Sequence, residues 1–314
     1  MTAGHAAGGG TAGGRGAGGT GVTLLGLGEV GRVLAEDIGV VPGVRLRAWD
    51  VALRDPASAA SRNAKELDVP TGADAEDAVR HADLVISAVT AANDLAAATS
   101  SAPAIAAGAW FLDLNSSAPG QKQAAADVIE AAGGRYVEAA VMSPITPQRL
   151  AAPMLLGGPH AEEFAAFARP LGFTGVEPYA DTVGPASATK LCRSVMIKGV
   201  EALLTESMLA ARAWGVEGRV LASLSNLLPS DDWAGLAAYM ISRSLAHGAR
   251  RAEEMREAAV TVAATGVEPL MSEATARRQD WAAAHRDVAD EQSLAPMLDA
   301  IRARLSEPDK GEPR

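Results

Sequence analysis

One cysteine, Cys192, stands among 314 residues, so an internal disulfide is excluded. That usage suits a reducing cytoplasm, and a lone cysteine in an apolar helical segment is expected to be a buried structural thiol. Aromatic residues make up only 4% of the chain, so its helices must pack on alanine, glycine and short aliphatic side chains. No stretch reaches the roughly 18 consecutive apolar residues that a membrane span requires. The histidines (His5, His81, His160, His247 and His285) lie far apart, and no cysteine cluster assists them, so no metal site is expected. Basic residues are outnumbered 28 to 38, giving a net charge of −10, which argues against a nucleic-acid partner because a phosphate backbone needs a basic surface. After Met1, residues 2–20 are Gly, Ala and Thr with one His and one Arg, and residues 1–20 lack the apolar centre of a signal peptide, so they read as a flexible tail. The polar stretch 306–314 reads as a second one.

What is present begins at Val22, where a short apolar strand runs into Gly26-Leu27-Gly28-Glu29-Val30-Gly31 and then a helical pattern. In a dinucleotide-binding turn the first glycine permits the tight bend, the second lets the backbone approach a pyrophosphate, and the third lets the helix pack on the strand. The helix N-terminus adds unpaired N–H groups and partial positive charge. Glycine patterns recur by chance, so the rest of the unit matters. Pro42-Gly43 breaks the helix, Val44 to Trp49 alternates as a second strand, and Asp50 closes it where a carboxylate can accept hydrogen bonds from a ribose. An aspartate there repels a 2′-phosphate and favours NAD over NADP, with Arg54 close enough to keep NADP open.

Short apolar strands continue to alternate with helices: 83–89, 110–114, 136–141 and 153–158, with Pro119 in the first turn of one helix. The expected fold is α/β, a Rossmann-type doubly wound sheet with parallel crossovers over 21–182, followed by an all-helical domain over 183–305. Ligands in such a sheet bind beyond the carboxyl ends of the strands, which sets Val89-Thr90, Asn115-Ser116-Ser117 and Met142-Ser143-Pro144 on the rim of the glycine turn. Each alone is ordinary turn chemistry, and their convergence carries the reading. In the second domain, helices are expected from near Lys190 to Trp214 and over 218–228, 233–264 and 269–284.

A bound nicotinamide needs a partner that handles the substrate proton. Lys190 is the candidate, near the start of the first interdomain helix, with Ser194 one turn later on the same face. Spacing alone leaves Lys190 open between a proton carrier and a solvated lysine.

These residues resemble the β-hydroxyacid dehydrogenase family, which includes 3-hydroxyisobutyrate dehydrogenases and is related to 6-phosphogluconate dehydrogenase. The similarity runs from Val22 to about Ala284. The cofactor turn matches at Gly26 to Gly31, the family's Asp-x-Ser-Thr-x-x-Pro loop corresponds to Asp113 to Pro119, and its catalytic helix to Gly184 through Ser194. The resemblance implies an NAD(P)-dependent enzyme acting on a small hydroxyacid, with Lys190 as general acid and base and a homodimer built through the helical domain. Ser116, Met142, Ser143 and Ser194 would meet substrate, while Gly26 to Gly31, Asp50, Val89, Thr90 and Asn115 would meet cofactor. The chain departs from the family at the substrate loop, where Ser-Gly-Gly is replaced by Met142-Ser143-Pro144, and at Ser194, where an amide is usual. It is similar to a divergent subgroup of NAD(P)-dependent oxidoreductases. Near His247 the family's Lys-Asp pair is not preserved, and Arg250-Arg251 stands open between an anion-binding role and a solvated face. Two alternatives follow: an imine reductase-like enzyme, which Lys190 disfavours, or an inactive NAD(P)-binding sensor or structural protein.

Overall fold

The protein is described by a computed structural model covering residues 19–224 and 231–305. The tail expected at 1–20 lies outside the described residues up to 18, as do the tail at 306–314 and residues 225–228 of the helix expected to end at 228.

In chain order the elements are β1 (Thr20–Leu25), α1 (Glu29–Ile38), β2 (Val44–Trp49), α2 (Ala59–Glu66), α3 (Ala75–Val79), β3 (Leu84–Ser87), α4 (Asp94–Ser101), β4 (Trp110–Asp113), α5 (Pro119–Ala131), β5 (Arg135–Val141), β6 (Met154–Gly157), α6 (Ala161–Ala168) and β7 (Val176–Ala180). Helices alone follow: α7 (Pro185–Trp214), α8 (Glu217–Leu224), α9 (Trp233–Ala263), α10 (Leu270–Ala283) and α11 (Leu294–Leu305).

The strands form one sheet in the order β2-β1-β3-β4-β5-β6-β7. From β1 the chain first crosses outward to β2 and then back past β1 to β3, so the strand order reverses between β1 and β3 and opens a crevice at their carboxyl ends. The interior strands β1, β3 and β4 are buried almost throughout because both faces are covered, and most of their residues are apolar. One face packs Leu34, Ile38 and Phe164 from α1 and α6, and the other packs Ala98 and Ile129 from α4 and α5.

Two features correct the expected sheet. β6 runs antiparallel to β5, since the segment between them is a loop without the helical crossover that parallel pairing requires. β7, which lacks a clear strand signal, pairs with β6 at the sheet edge. Its Pro178 obscures the pattern in sequence, yet a proline is tolerated where one side of the strand has no partner.

The helical unit is built on two long rods, α7 and α9, with α10 laid against both. Leu204, Met208, Ile241, Leu245, Met297 and Ile301 form its core. α9 departs from helical geometry at His247, and a β-carbon on the adjacent Gly248 would lie 2.4 Å from the Gln279 carbonyl oxygen of α10. Glycine there lets the two backbones touch. Cys192 is exposed, correcting the expected buried thiol. Leu191 turns into the core at 1% exposure, and the next residue on a helix points about 100° away from it.

Candidate functional site

The glycine turn leaves β1 and enters α1 within three residues. Gly26 has φ +101°, and a β-carbon there would come within 2.4 Å of the Ala88 carbonyl oxygen across the crevice. At Gly31 a β-carbon would meet the Gly26 carbonyl oxygen at 2.0 Å. Gly28 differs: nothing lies within 4 Å of where its β-carbon would be. Gly26 and Gly31 are therefore required by the fold, whereas Gly28 keeps open space above the N-terminus of α1. No side chain caps that helix, so its leading N–H groups remain available to an anion. Glu29 is exposed, Val30 half-buried and Leu27 fully buried.

Asp50 stands at the end of β2 beside this turn. One carboxylate oxygen accepts from the Leu27 N–H and the other from the Ala52 N–H, each at 2.8 Å. Each oxygen has a lone pair left for a hydroxyl donor. Asn63 of α2 donates to the Leu27 carbonyl at 2.7 Å, bracing the turn from its other side. Arg54 is exposed in the 3₁₀ turn that follows Asp50. A glycine cradle with empty space at Gly28, an uncapped helix start and a carboxylate at the second strand together fit the pyrophosphate and ribose of a nicotinamide dinucleotide.

Along the rim, Asn115 accepts from the Val89 N–H at 2.7 Å, joining the loops after β3 and β4. Thr90 is engaged locally, its hydroxyl oxygen accepting from Asn93. The loop after β4 also reaches the helical unit, where Glu257 of α9 accepts from the Ala118 N–H at 2.7 Å.

Lys190 lies in the second turn of α7. Its Nζ donates to the Ser116 hydroxyl oxygen at 2.7 Å, a contact between residues 74 apart in sequence. The start of α7 is fixed by Glu138 of β5, which is fully buried and accepts from the N–H groups of Gly184 and Ser187 at 2.7 Å each. A carboxylate at a helix N-terminus satisfies orphan donors and complements the helix dipole. Burial pushes the Lys190 pKa down to about 8 from 10.5; Glu254 opposes the fall, while the cations Lys122, Lys198 and Arg250 add to it. An amine so placed exchanges a proton near neutral pH.

One turn further, the predicted Ser194 is buried and its hydroxyl accepts from Lys198 at 3.0 Å. Lys198 also pairs with Glu254 of α9 at 2.8 Å. Burial raises the Glu254 carboxyl, but Lys198, Arg250 and Lys190 outweigh that and hold it at about 2, so it stays ionised. Arg250 pairs with Glu254, and Arg251 with the buried Glu201. The Arg250-Arg251 segment is thus not simply a solvated face, because Arg251 and Glu254 are buried and paired with residues of α7. The predicted Met142 is half-buried after β5, and Ser143 spends its hydroxyl on Gln148 of its own loop, at 3.0 Å. Neither is bonded to Lys190.

Sequence reasoning missed what lies beneath the site. Asp94, Asp113 and Lys122 are fully buried at the ends of β3 and β4, with Lys122 Nζ 2.6 Å from Asp113 and 3.8 Å from Asp94. Tyr136 donates to Asp113 at 2.6 Å, and Asn115 donates to both Asp94 and Ser87 at 2.9 Å. Burial pushes the Asp113 carboxyl up, against the pull of Lys122 and with Asp94 adding to the rise. Asp94 and Lys122 look in sequence like solvated helix positions, while Asp113 falls at the end of an expected strand. Among the described residues, no group of three or more His, Cys, Asp or Glu is arranged to hold a metal ion, and no helix is long and apolar enough to cross a membrane.

Residues 21–171 match the model of the NAD binding domain of 6-phosphogluconate dehydrogenase, and residues 211–282 match a domain of unknown function, DUF1932. No curated protein matches the sequence. Among solved structures, a conserved hypothetical protein from Sinorhizobium meliloti is 37% identical, covering 91% of this chain and 96% of that one, with a TM-score of 0.71. A conserved protein of unknown function, described as structurally similar to 3-hydroxyacid dehydrogenases, is 28% identical over 86% of this chain and 100% of its own, with a TM-score of 0.65. The 3-hydroxyisobutyrate dehydrogenase of Mycobacterium tuberculosis, solved with L-serine, shares the fold at 20% identity, covering 90% of this chain and 99% of that one, with a TM-score of 0.68.

Proposed function

The chain belongs to the β-hydroxyacid dehydrogenase family, and from that premise we propose that this NAD(P)-dependent oxidoreductase acts on the CH–OH group of a hydroxyacid-type substrate with Lys190 as its general acid and base. The observation that carries the reading is the Lys190 to Ser116 hydrogen bond, which joins the helical unit to the rim of the cofactor crevice. We take residues 21–182 as the cofactor-binding domain and 183–305 as the substrate and dimerisation domain.

The nicotinamide supplies a hydride acceptor or donor. Lys190 moves the accompanying proton: as the neutral amine it takes the substrate hydroxyl proton during oxidation, and as the ammonium it returns one during reduction. Ser116 keeps the Lys190 Nζ turned toward the crevice. Lys198 and Arg250 keep positive charge near an acidic substrate, and Met142 forms an apolar wall that suits a bulkier substrate than the family's short hydroxyacids. Ser143 and Ser194 complete the substrate side. Gly26 to Gly31 hold the pyrophosphate, with Val89, Thr90 and Asn115 along the dinucleotide. Asp50 accepts from the ribose hydroxyls and disfavours a 2′-phosphate, so NAD is preferred.

Homodimerisation through the helical unit is supported by the exposed apolar residues Met196, Leu203, Val260 and Met271. The single cysteine favours work in the cytoplasm. A hydride-transfer screen with NADH, NADPH and their oxidised forms tests the reading, using short and bulky hydroxyacids, the matching ketoacids, and imines. Turnover of a hydroxyacid or ketoacid, fastest for bulky members and with NAD, is expected; turnover of imines alone, or tight NADH binding without turnover, contradicts it.

A further inference from the structure

We propose that Asp94 is a positioning residue that holds the Ser116 hydroxyl against Lys190 by gripping the residues on either side of it. The Asp94 carboxylate is fully buried at the start of α4. One of its oxygens accepts from the Asn115 side-chain amide at 2.9 Å, and the other accepts from the Ser117 hydroxyl. Between those two anchors sits Ser116, whose own hydroxyl accepts from Lys190. With the residues before and after it tied to one rigid group, the Ser116 backbone loses the freedom to turn its side chain away.

The grip explains why a charged group stands in so enclosed a place. Two donors have to be accepted at once, one on each oxygen, and a carboxylate offers two acceptor oxygens where an amide offers one. A buried carboxylate is tolerated when a counter-ion and hydrogen bonds answer it. Lys122 answers this one from α5 while itself seated on Asp113, which Tyr136 holds from β5. The cluster therefore ties the carboxyl ends of β3 and β4, at Ser87 and Asp113, and Tyr136 near the start of β5 to the loop that carries Ser116.

The assignment rests on reading Lys190 as the proton carrier. Its test is chosen to need no turnover, so failure of that reading and failure of the grip are seen separately. The charged groups that bear on Lys190 are Lys122 from α5, Lys198 from α7, and Glu254 and Arg250 from α9. All are retained in Ser117→Ala, which cuts one arm of the grip without changing any charge. The probe is reductive methylation of the full-length protein with formaldehyde and dimethylamine–borane across pH, with modification at Lys190 quantified by peptide mass spectrometry.

A Ser116 hydroxyl set loose no longer supports the ammonium form, so the midpoint for Lys190 is expected to fall in Ser117→Ala. The drop should be about half a pH unit, from the usual strength of a hydrogen bond to a charged group partly replaced by water. In a Ser116→Ala background, Ser117→Ala should add no further change. Asp94→Asn should give the same dependence on Ser116. An unchanged midpoint in Ser117→Ala, or an equal drop with and without Ser116, overturns the proposal, and the neutral Ser117 variant keeps that outcome reachable if Asp94→Asn fails to fold.

Discussion

Among single residues, three glycines of one motif divide by what surrounds them. Gly26 and Gly31 are hemmed in by backbone, while Gly28 faces open space. Gly28→Ala should therefore fold with wild-type stability and bind NADH about tenfold or more weakly, whereas Gly26→Ala should unfold at lower urea, since it forces an alanine to positive φ against a carbonyl. Urea titration and NADH fluorescence on both variants check the division. At Lys190 the sign of the pH dependence follows from an amine pushed down to about 8. Oxidation requires the neutral form and should rise as pH climbs through about 8, while reduction requires the ammonium and should fall over the same range; initial rates in both directions across pH 6.5 to 9.5 read this out. The places of the glycines in a strand-to-helix turn, of Asp50 at the end of a strand and of Lys190 near the start of a helix were legible because turn chemistry and helix position show in local sequence. Asp94, Lys122 and Glu254 were not, because a charge becomes a buried structural group only through partners far away in the chain, such as Lys198 for Glu254.

Among elements, α7 has to arrive with Lys190 facing the crevice, and Glu138 sets its start. Two backbone donors at the helix N-terminus end on this one buried carboxylate. Glu138→Ala should destabilise the protein by about 2 kcal/mol, the scale of losing a charge-assisted cap, and Glu138→Gln by less, because one acceptor is retained. Denaturant midpoints at constant slope measure both. Period and punctuation located α1, α5, α9 and α10 within a few residues in sequence. They located β6 but not its direction, which depends on whether the connecting segment forms a helix, and they missed β7, where an edge proline masks alternation. The exposure of Cys192 was missed for a related reason, since a helix as apolar as α7 does not announce which of its faces meets the core.

For the whole molecule, the helical unit meets the sheet domain at the rim of the cofactor crevice, and the hydrogen bonds that cross between them include Glu138 to the start of α7, Tyr179 to Thr189, Glu257 to Ala118, and Lys190 to Ser116. The exposed apolar side of the helices should seat a second copy. Sedimentation equilibrium at micromolar concentration is expected to show a dimer that Leu203→Glu converts to monomer, and a wild-type monomer contradicts that expectation. The central claim is that proton transfer runs through Lys190, and Lys190→Ala measures it most directly when turnover and NADH affinity are determined on the same preparation. With the fastest substrate of the hydride-transfer screen, kcat should fall by about a hundredfold to ten-thousandfold while the NADH Kd stays at its wild-type value. Turnover unchanged in the variant, with cofactor binding intact, would contradict the account.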